Sequence, residues 1–395
     1  MIDSYLFLGI ALILLSTKAF SILFKRVHLP QVVGALAAGI LLGPALFNVI
    51  QPSEAFSVLA ELGVIFLLFS AGMETDFKQL RNSLKSSLLI SALGVAAALG
   101  GGFAIASLFG KPPFESFLIG VIIASMSTSV TVEALQEIGK LKTKTGTAIL
   151  GASLFDDIFV IVILAVVMGA GTNDVSIASI AMIMVRIALF FVVAILTGFG
   201  VNKLFNLMHK RIGSKGRFSI FALAYCFFMA FLAEQFGLAD IIGAYIAGIA
   251  FCNTKCAEAL ETNTRTLSYM LFTPIFLANI GLQASFAGLT GSMILFTALF
   301  AVVAILSKVL GCGLGAKICK FTNKESLQVG TGMIARGEVS FIVVNKAIIA
   351  GFLGVQLFPS VIAVVLITVL IAPMLLKWAY ADRRAAQSPF ADNMH

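Results

Sequence analysis

Apolar residues run through most of this chain in stretches of about 20, the length at which an α-helix crosses a bilayer, and short polar clusters punctuate them. That rhythm predicts about thirteen spans, near 5–24, 31–47, 54–73, 84–108, 114–137, 145–170, 176–207, 218–236, 238–253, 266–285, 290–316, 325–350 and 358–380. Such segments must satisfy their own backbone hydrogen bonds, so the expected fold class is an all-α polytopic membrane protein. The second and ninth spans are the shortest, and they carry an internal repeat. Leu29-Pro30-Gln31-Val32-Val33-Gly34 through Gly39-Ile40 lines up with Leu238-Ala239-Asp240-Ile241-Ile242-Gly243 through Gly248-Ile249 at one constant offset. The following span continues the match, Ile65-Phe66-Leu67 with Gly72 and Phe77 against Ile275-Phe276-Leu277 with Gly281 and Phe286, allowing a slip of one residue. The copies begin an odd number of crossings apart, so they traverse the membrane in opposite directions. The chain thus divides into a first inverted repeat at 1–170, a linker helix at 175–208, a second inverted repeat at 218–380 and a short cytoplasmic tail at 381–395.

In secondary transporters, inverted repeats bring a midplane site to the place where interrupted helices of the two halves meet. The fifth span contains Ser125-Met126-Ser127-Thr128-Ser129-Val130-Thr131, a hydroxyl-rich run that can re-satisfy unwound backbone or offer oxygens to a cation. Its counterpart, the twelfth span, contains Gly330-Thr331-Gly332 and then Arg336-Gly337-Glu338. Two crossed, broken helices are expected there, with N-terminal and C-terminal partial charges concentrated at one depth.

The sixth span carries Asp156-Asp157 in the middle of an apolar stretch that continues Ile158-Phe159-Val160-Ile161. A single Asp at the centre of a spanning helix costs roughly 2.5–3.5 kcal/mol on insertion scales, so an adjacent pair must be offset by cations, water or a bound ion. Neighbouring helix positions point about 100° apart, which lets one carboxylate meet a fixed cation while the other faces a cavity. Lys308, deep in the eleventh span, needs a carboxylate partner or loses its proton. Asp156, Asp157 and Glu338 set against Lys308 and Arg336 sum to one excess negative charge, which a proton or one monovalent cation balances. Competition for that carboxylate, coupled to alternating access, is sufficient for exchange. The expectation is Asp157 as the exchanging group and cation ligand, Asp156 paired with Lys308, and Arg336 with Glu338 holding the twelfth-span break.

Composition narrows the alternatives. Hydrophobic residues make up 59% and charged residues 12%, about half the charged share of soluble domains, which is near 25%. Asp3 stands where a secretory leader carries basic residues, so the first helix is expected to stay. The net charge of +8 falls in alternate loops, which argues against a nucleic-acid partner and for the N-terminus outside and the C-terminus in the cytoplasm. Cys252 and Cys256 form the one close cysteine pair and, without His nearby, read as structural. His28, His209 and His395 all lie outside the spans, so a proton route must use carboxylates. His209 in its basic loop is open to two readings, a cytoplasmic pH sensor or a solvated loop residue. Arg186, Glu133, Glu234 and Asp240 are expected in structural or interfacial pairs. Gly311-Cys312-Gly313-Leu314-Gly315 sits inside a span and suits helix packing, and no phosphate-binding loop is present, so no nucleotide and no cofactor beyond the transported ions is expected.

Taken together, the Leu29-Pro30 entry helix, Ser127-Thr128-Ser129, Asp156-Asp157, Lys308 and Arg336-Gly337-Glu338 resemble the CPA2 group of bacterial monovalent cation:proton antiporters, over nearly the whole chain. The resemblance implies a sodium/proton exchanger in a bacterial inner membrane, probing sodium first, with lithium or potassium as alternatives, and an electrogenic cycle. It also implies that Asp157 binds the ion, that Asp156 forms a salt bridge with Lys308 and that Thr128 helps line the site. A homodimer is implied too, with spans one to three and eight to ten as scaffold and spans four to six and eleven to thirteen as moving core. The glutathione-gated potassium-efflux relatives carry Gln at the first Asp and a nucleotide-binding domain, so Asp156 and the short tail argue against that branch. A sodium-coupled organic-anion symporter of the bile-acid type, or a K+/H+ exchanger, is the rival reading, as is a non-transporting receptor on the same scaffold.

Overall fold

A computed structural model describes residues 4–171, 177–212, 218–254, 257–284 and 291–381, and every described element is helical. In chain order they are α1 (Ser4–Arg26), α2 (Gln31–Leu42), α3 (Glu54–Glu74), α4 (Phe77–Leu108), α5 (Pro113–Ala124), α6 (Thr128–Glu137), α7 (Lys144–Gly171) and α8 (Ile177–Ile212). The second half holds α9 (Phe218–Gln235), α10 (Asp240–Phe251), α11 (Ala257–Leu267), α12 (Thr273–Leu282), α13 (Gly291–Ile318), α14 (Asn323–Gly332), α15 (Glu338–Ile349) and α16 (Phe358–Tyr380). Eight helical stretches are long and apolar enough to cross a membrane, among them the combined stretch Pro113–Glu137. The molecule is an all-helical, multi-span membrane protein.

Several boundaries differ from the hydropathy reading for local reasons. The fourth helix begins at Phe77 rather than near 84, because Asp76 Oδ1 accepts from the amides of Lys78 at 2.8 Å and Gln79 at 3.2 Å and caps the start. The second ends at Leu42 rather than near 47, at Gly43 followed by a proline that cannot continue it. The tenth span starts early, at Ala257, and contains a π turn at Ser268–Phe272 just before Pro274. Proline lacks an amide hydrogen and crowds the preceding turn, and widening that turn accommodates it.

Glycines bring six helices together in a reciprocal pattern. Gly34 and Gly243 of the repeat stand 209 positions apart (243 − 34), as do Gly39 and Gly248 (248 − 39). A Cβ on Gly34 would lie 2.6 Å from the Phe20 carbonyl oxygen, and one on Gly243 would lie 2.1 Å from that of Met229 (229 − 20 = 209). On Gly39 it would meet the Ala278 oxygen at 2.1 Å, and on Gly248 the Phe69 oxygen at 2.2 Å (278 − 69 = 209). So α2 packs on α12 as α10 packs on α3, with backbones too close for any side chain. The one-residue slip seen in the sequence is local, because these contacts keep a single offset.

Candidate functional site

The site is assembled from α4, α7, α13 and the two interruptions. Between α5 and α6 the chain is extended at Ser125 (ψ 152°) and Ser127 (ψ 104°), and between α14 and α15 it leaves the helix from Met333 to Gly337. Each interruption strands carbonyls at one helix end and amides at the next. They satisfy one another: the Ser127 amide donates to the Ala335 carbonyl at 2.7 Å, and Thr131 Oγ1 donates to the Gly332 carbonyl at 2.9 Å. Ser125 and Ser340 share a hydroxyl–hydroxyl bond of 2.8 Å, and Ser340 also donates to the Ile122 carbonyl at 3.0 Å. Gly337 is required by this contact, since a Cβ there would sit 2.8 Å from Ser127.

Arg336 is fully buried and acts across the molecule rather than within its own break. Its Nη1 donates to the Ser125 carbonyl at 2.6 Å, at the C-terminal end of α5, and its Nη2 to the Ala304 carbonyl on α13 at 2.7 Å. A cation at a helix C-terminus meets unpaired carbonyls and the negative end of the dipole. Arg336, expected with Glu338 to hold the twelfth-span break, thus ties that break to the C-terminal end of α5 and to α13. Glu338 opens α15, and its side chain lies outside the described residues.

One turn along α13 from Ala304, Lys308 forms an ion pair with Asp156 of α7, and neither side chain reaches solvent. Ser91 of α4 donates to the other oxygen of Asp156 at 2.5 Å. Asp156 thus has a cation on one oxygen and a hydroxyl on the other, which offsets the cost of burying it. Asp157 follows on the next position of the helix and is 1% exposed. At the first break Ser127 and Ser129 pair their hydroxyls at 3.2 Å, and Thr128 Oγ1 is buried with no hydrogen-bond partner among the described residues.

Sequence reasoning missed Ser91, Ser340 and Thr368, whose hydroxyl accepts from the Arg336 amide at 3.2 Å. For Ser91 a signal existed: Ser87, Ser91 and Gly94 mark one narrow face of α4, and that face meets α7 and α13. Of the charges left ambiguous, Glu133 is buried on α6, Glu234 is exposed near the end of α9, and Asp240 begins α10. Cys256 and His395 lie outside the described residues, as does the side chain of His209.

Buried charges of both signs beside two mutually tied helix interruptions, in a multi-span helical frame, define a membrane transporter. The family model described as "Sodium/hydrogen exchanger, transmembrane" matches residues 10–381. The Na(+)/H(+)-K(+) antiporter GerN of Bacillus cereus is 36% identical over 382 residues, 96% of this chain and 97% of that protein. An Na(+)/H(+) antiporter of Enterococcus hirae is 33% identical over 94% of this chain and 97% of its own length. Among solved structures, the sodium proton antiporter MjNhaP1 of Methanocaldococcus jannaschii superposes with a TM-score of 0.70 at 15% identity, over 96% of this chain and 95% of that one, a likeness of fold. The chain belongs to the sodium/hydrogen exchanger family; it is a cation/proton antiporter and not an enzyme.

Proposed function

We propose that the protein exchanges sodium for protons by alternating access, with Asp157 as the carboxylate for which the two ions compete. The observation that carries this reading is the buried Asp156–Lys308 pair with its Ser91 hydrogen bond. It commits the first carboxylate and the lysine to each other, so the exchangeable charge falls on the next residue. Thr128, Ser127 and Ser129 supply hydroxyl oxygens to the ion, a role supported by the buried, unpartnered Thr128 Oγ1. Arg336 keeps the paired breaks in register, and Glu338 adds negative charge at the start of α15.

The 209-residue offset of the glycine contacts supports two inverted repeats, 1–170 and 218–380, about α8, with crossed broken helices and about thirteen crossings. In this reading the N-terminus is outside and the C-terminus is cytoplasmic, in a bacterial inner membrane. A homodimer places α1–α3 and α9–α12 in the scaffold, and α4–α7 with α13–α16 move against it. Proton and cation bind one site in turn, and the cycle carries net charge. Potassium is the second reading for the cation, favoured by the name of the GerN relative.

Proteoliposomes containing a pH-reporting dye, with the membrane potential clamped and sodium, lithium or potassium supplied in turn, test this. Wild type should move protons against sodium, and Asp157→Asn should reduce exchange to the protein-free rate while leaving the melting temperature within a few degrees. Unimpaired exchange in Asp157→Asn removes the residue from its role. Uptake of a labelled organic anion without cation-driven pH change favours the symporter reading.

A further inference from the structure

A cavity of about 400 Å³ opens between α3, α10 and α12 on one side and the second break on the other, with Gly337 and Phe341 in its wall. It is lined by Glu61 of α3 and Asp240 at the start of α10, two carboxylates from facing helices. One oxygen of Asp240 accepts from the Ile241 amide at 2.8 Å, which leaves the other for the cavity. Two carboxylates facing one cavity repel each other, and a proton or a cation between them relieves that repulsion.

A third group calls for more than a proton. Asn279 on α12 lines the same cavity, is 5% exposed, and its Oδ1 is buried with no hydrogen-bond partner among the described residues. A proton shared by the carboxyls does not satisfy that oxygen. A metal ion does, because carboxylate and amide oxygens are the donors that hard cations take. With one proton retained, the carboxyl pair carries a single negative charge, which matches a monovalent ion. Ser57 offers a hydroxyl at the same wall, and the half-open cavity leaves room for water to complete the shell.

We infer that Glu61, Asp240 and Asn279 form a second alkali-cation site in the mouth of the cavity, separate from Asp157. It rests on the exchange reading only for its purpose, which is to load the mouth with cation beside the break; binding itself does not require exchange.

The test uses purified full-length protein in the Asp157→Asn background, titrated with sodium, lithium or potassium chloride against choline chloride at one pH, with the melting temperature as readout. An alkali-dependent rise should persist in Asp157→Asn, disappear in Asp157→Asn/Asp240→Asn, and need about tenfold more salt in Asp157→Asn/Asn279→Ala. Glu61→Gln, at an exposed position, repeats the Asp240 test with little risk to folding. The site is overturned by a rise absent from Asp157→Asn, by one that survives loss of Asp240 or Glu61, or by a response to calcium alone. In proteoliposomes, Asp240→Asn on the wild-type background should raise the half-saturating sodium concentration several-fold and leave the maximal rate unchanged. Wild-type protein that binds alkali cations in this way but never exchanges them would sink the antiport reading and spare the site.

Discussion

The cavity beside Gly337 and the cleft at the opposite end of the same helices are built from equivalent positions, yet their chemistry differs. Ser57, Ala60 and Glu61 line the first, and Thr266, Tyr269 and Met270, each 209 positions later, line the second. Where Ala60 leaves space, Tyr269 fills it: its hydroxyl donates to Gln136 Oε1 on α6 at 2.9 Å, and Arg265 stands over its ring at 5.4 Å. Asp240 likewise corresponds to Gln31, whose amide, with that of Val32, donates to the Glu137 carboxylate of α6 at 2.7 and 3.2 Å. One end is therefore bolted to α6 by side chains, and the other is acidic and open as far as the second break. Repeated glycines build the frame twice, and a few side chains set the chemistry of each end.

Breaking the tie between the two interruptions should have the largest effect. Arg336→Ala removes the donors to two buried carbonyls and should cost about 3–5 kcal/mol, enough to abolish exchange, with the loss read as a fall in melting temperature. Arg336→Lys, with a single point charge in place of a fork, should recover part of the stability. Ala60→Tyr transfers the closing ring to the open mouth; exchange should fall at least about tenfold, for an overpacking cost of about 1–3 kcal/mol in stability. Unchanged exchange in that variant would show that ring size at this position does not gate the path. At the end tied to α6, Glu137→Gln weakens the cap on α2 and should cost about 1 kcal/mol in chemical unfolding.

The smallest effect belongs to a contact remote from both mouths. Glu325 accepts from the Thr322 amide at 2.8 Å and pairs with Lys144 at 3.2 Å, and these contacts, the Thr322 amide first, hold its pKa below the ordinary carboxylate value. Stability from a lowered carboxylate pKa is present above its unfolded value and is lost as pH falls through the folded one. Glu325→Gln should therefore lower the melting temperature slightly at neutral pH, by no more than about 1 kcal/mol for so exposed a pair. That difference should vanish on acidification to below the ordinary carboxylate range. A difference that grows in acid would contradict the assignment.

Much of this was legible without coordinates. Buried carboxylates and lysines are costly in lipid, so Asp156, Asp157 and Lys308 stand out of an apolar pattern by themselves, and the hydroxyl run at Ser125–Thr131 announces an irregular helix. Hydropathy was weakest at helix ends, because caps such as Asp76 and the π turn before Pro274 depend on single residues that a 20-residue average hides. Arg336 stands in the twelfth-span break by sequence, and charge along a sequence carries no sign of which distant carbonyl will receive it.

By itself the sequence determined the helical frame, the offset of the repeat and the residues whose burial demands a function, because hydrophobic length and the cost of buried charge are local properties. Only the tertiary structure decided that Ser91 joins Lys308 on Asp156, that Arg336 secures the opposite interruption, and that Glu61, Asp240 and Asn279 share one cavity. Ser91 and Asp156 are 65 positions apart and Ser125 and Arg336 are 211 apart. Those pairings depend on how closely packed backbones bring separate helices to one depth, which no pattern along a single chain records.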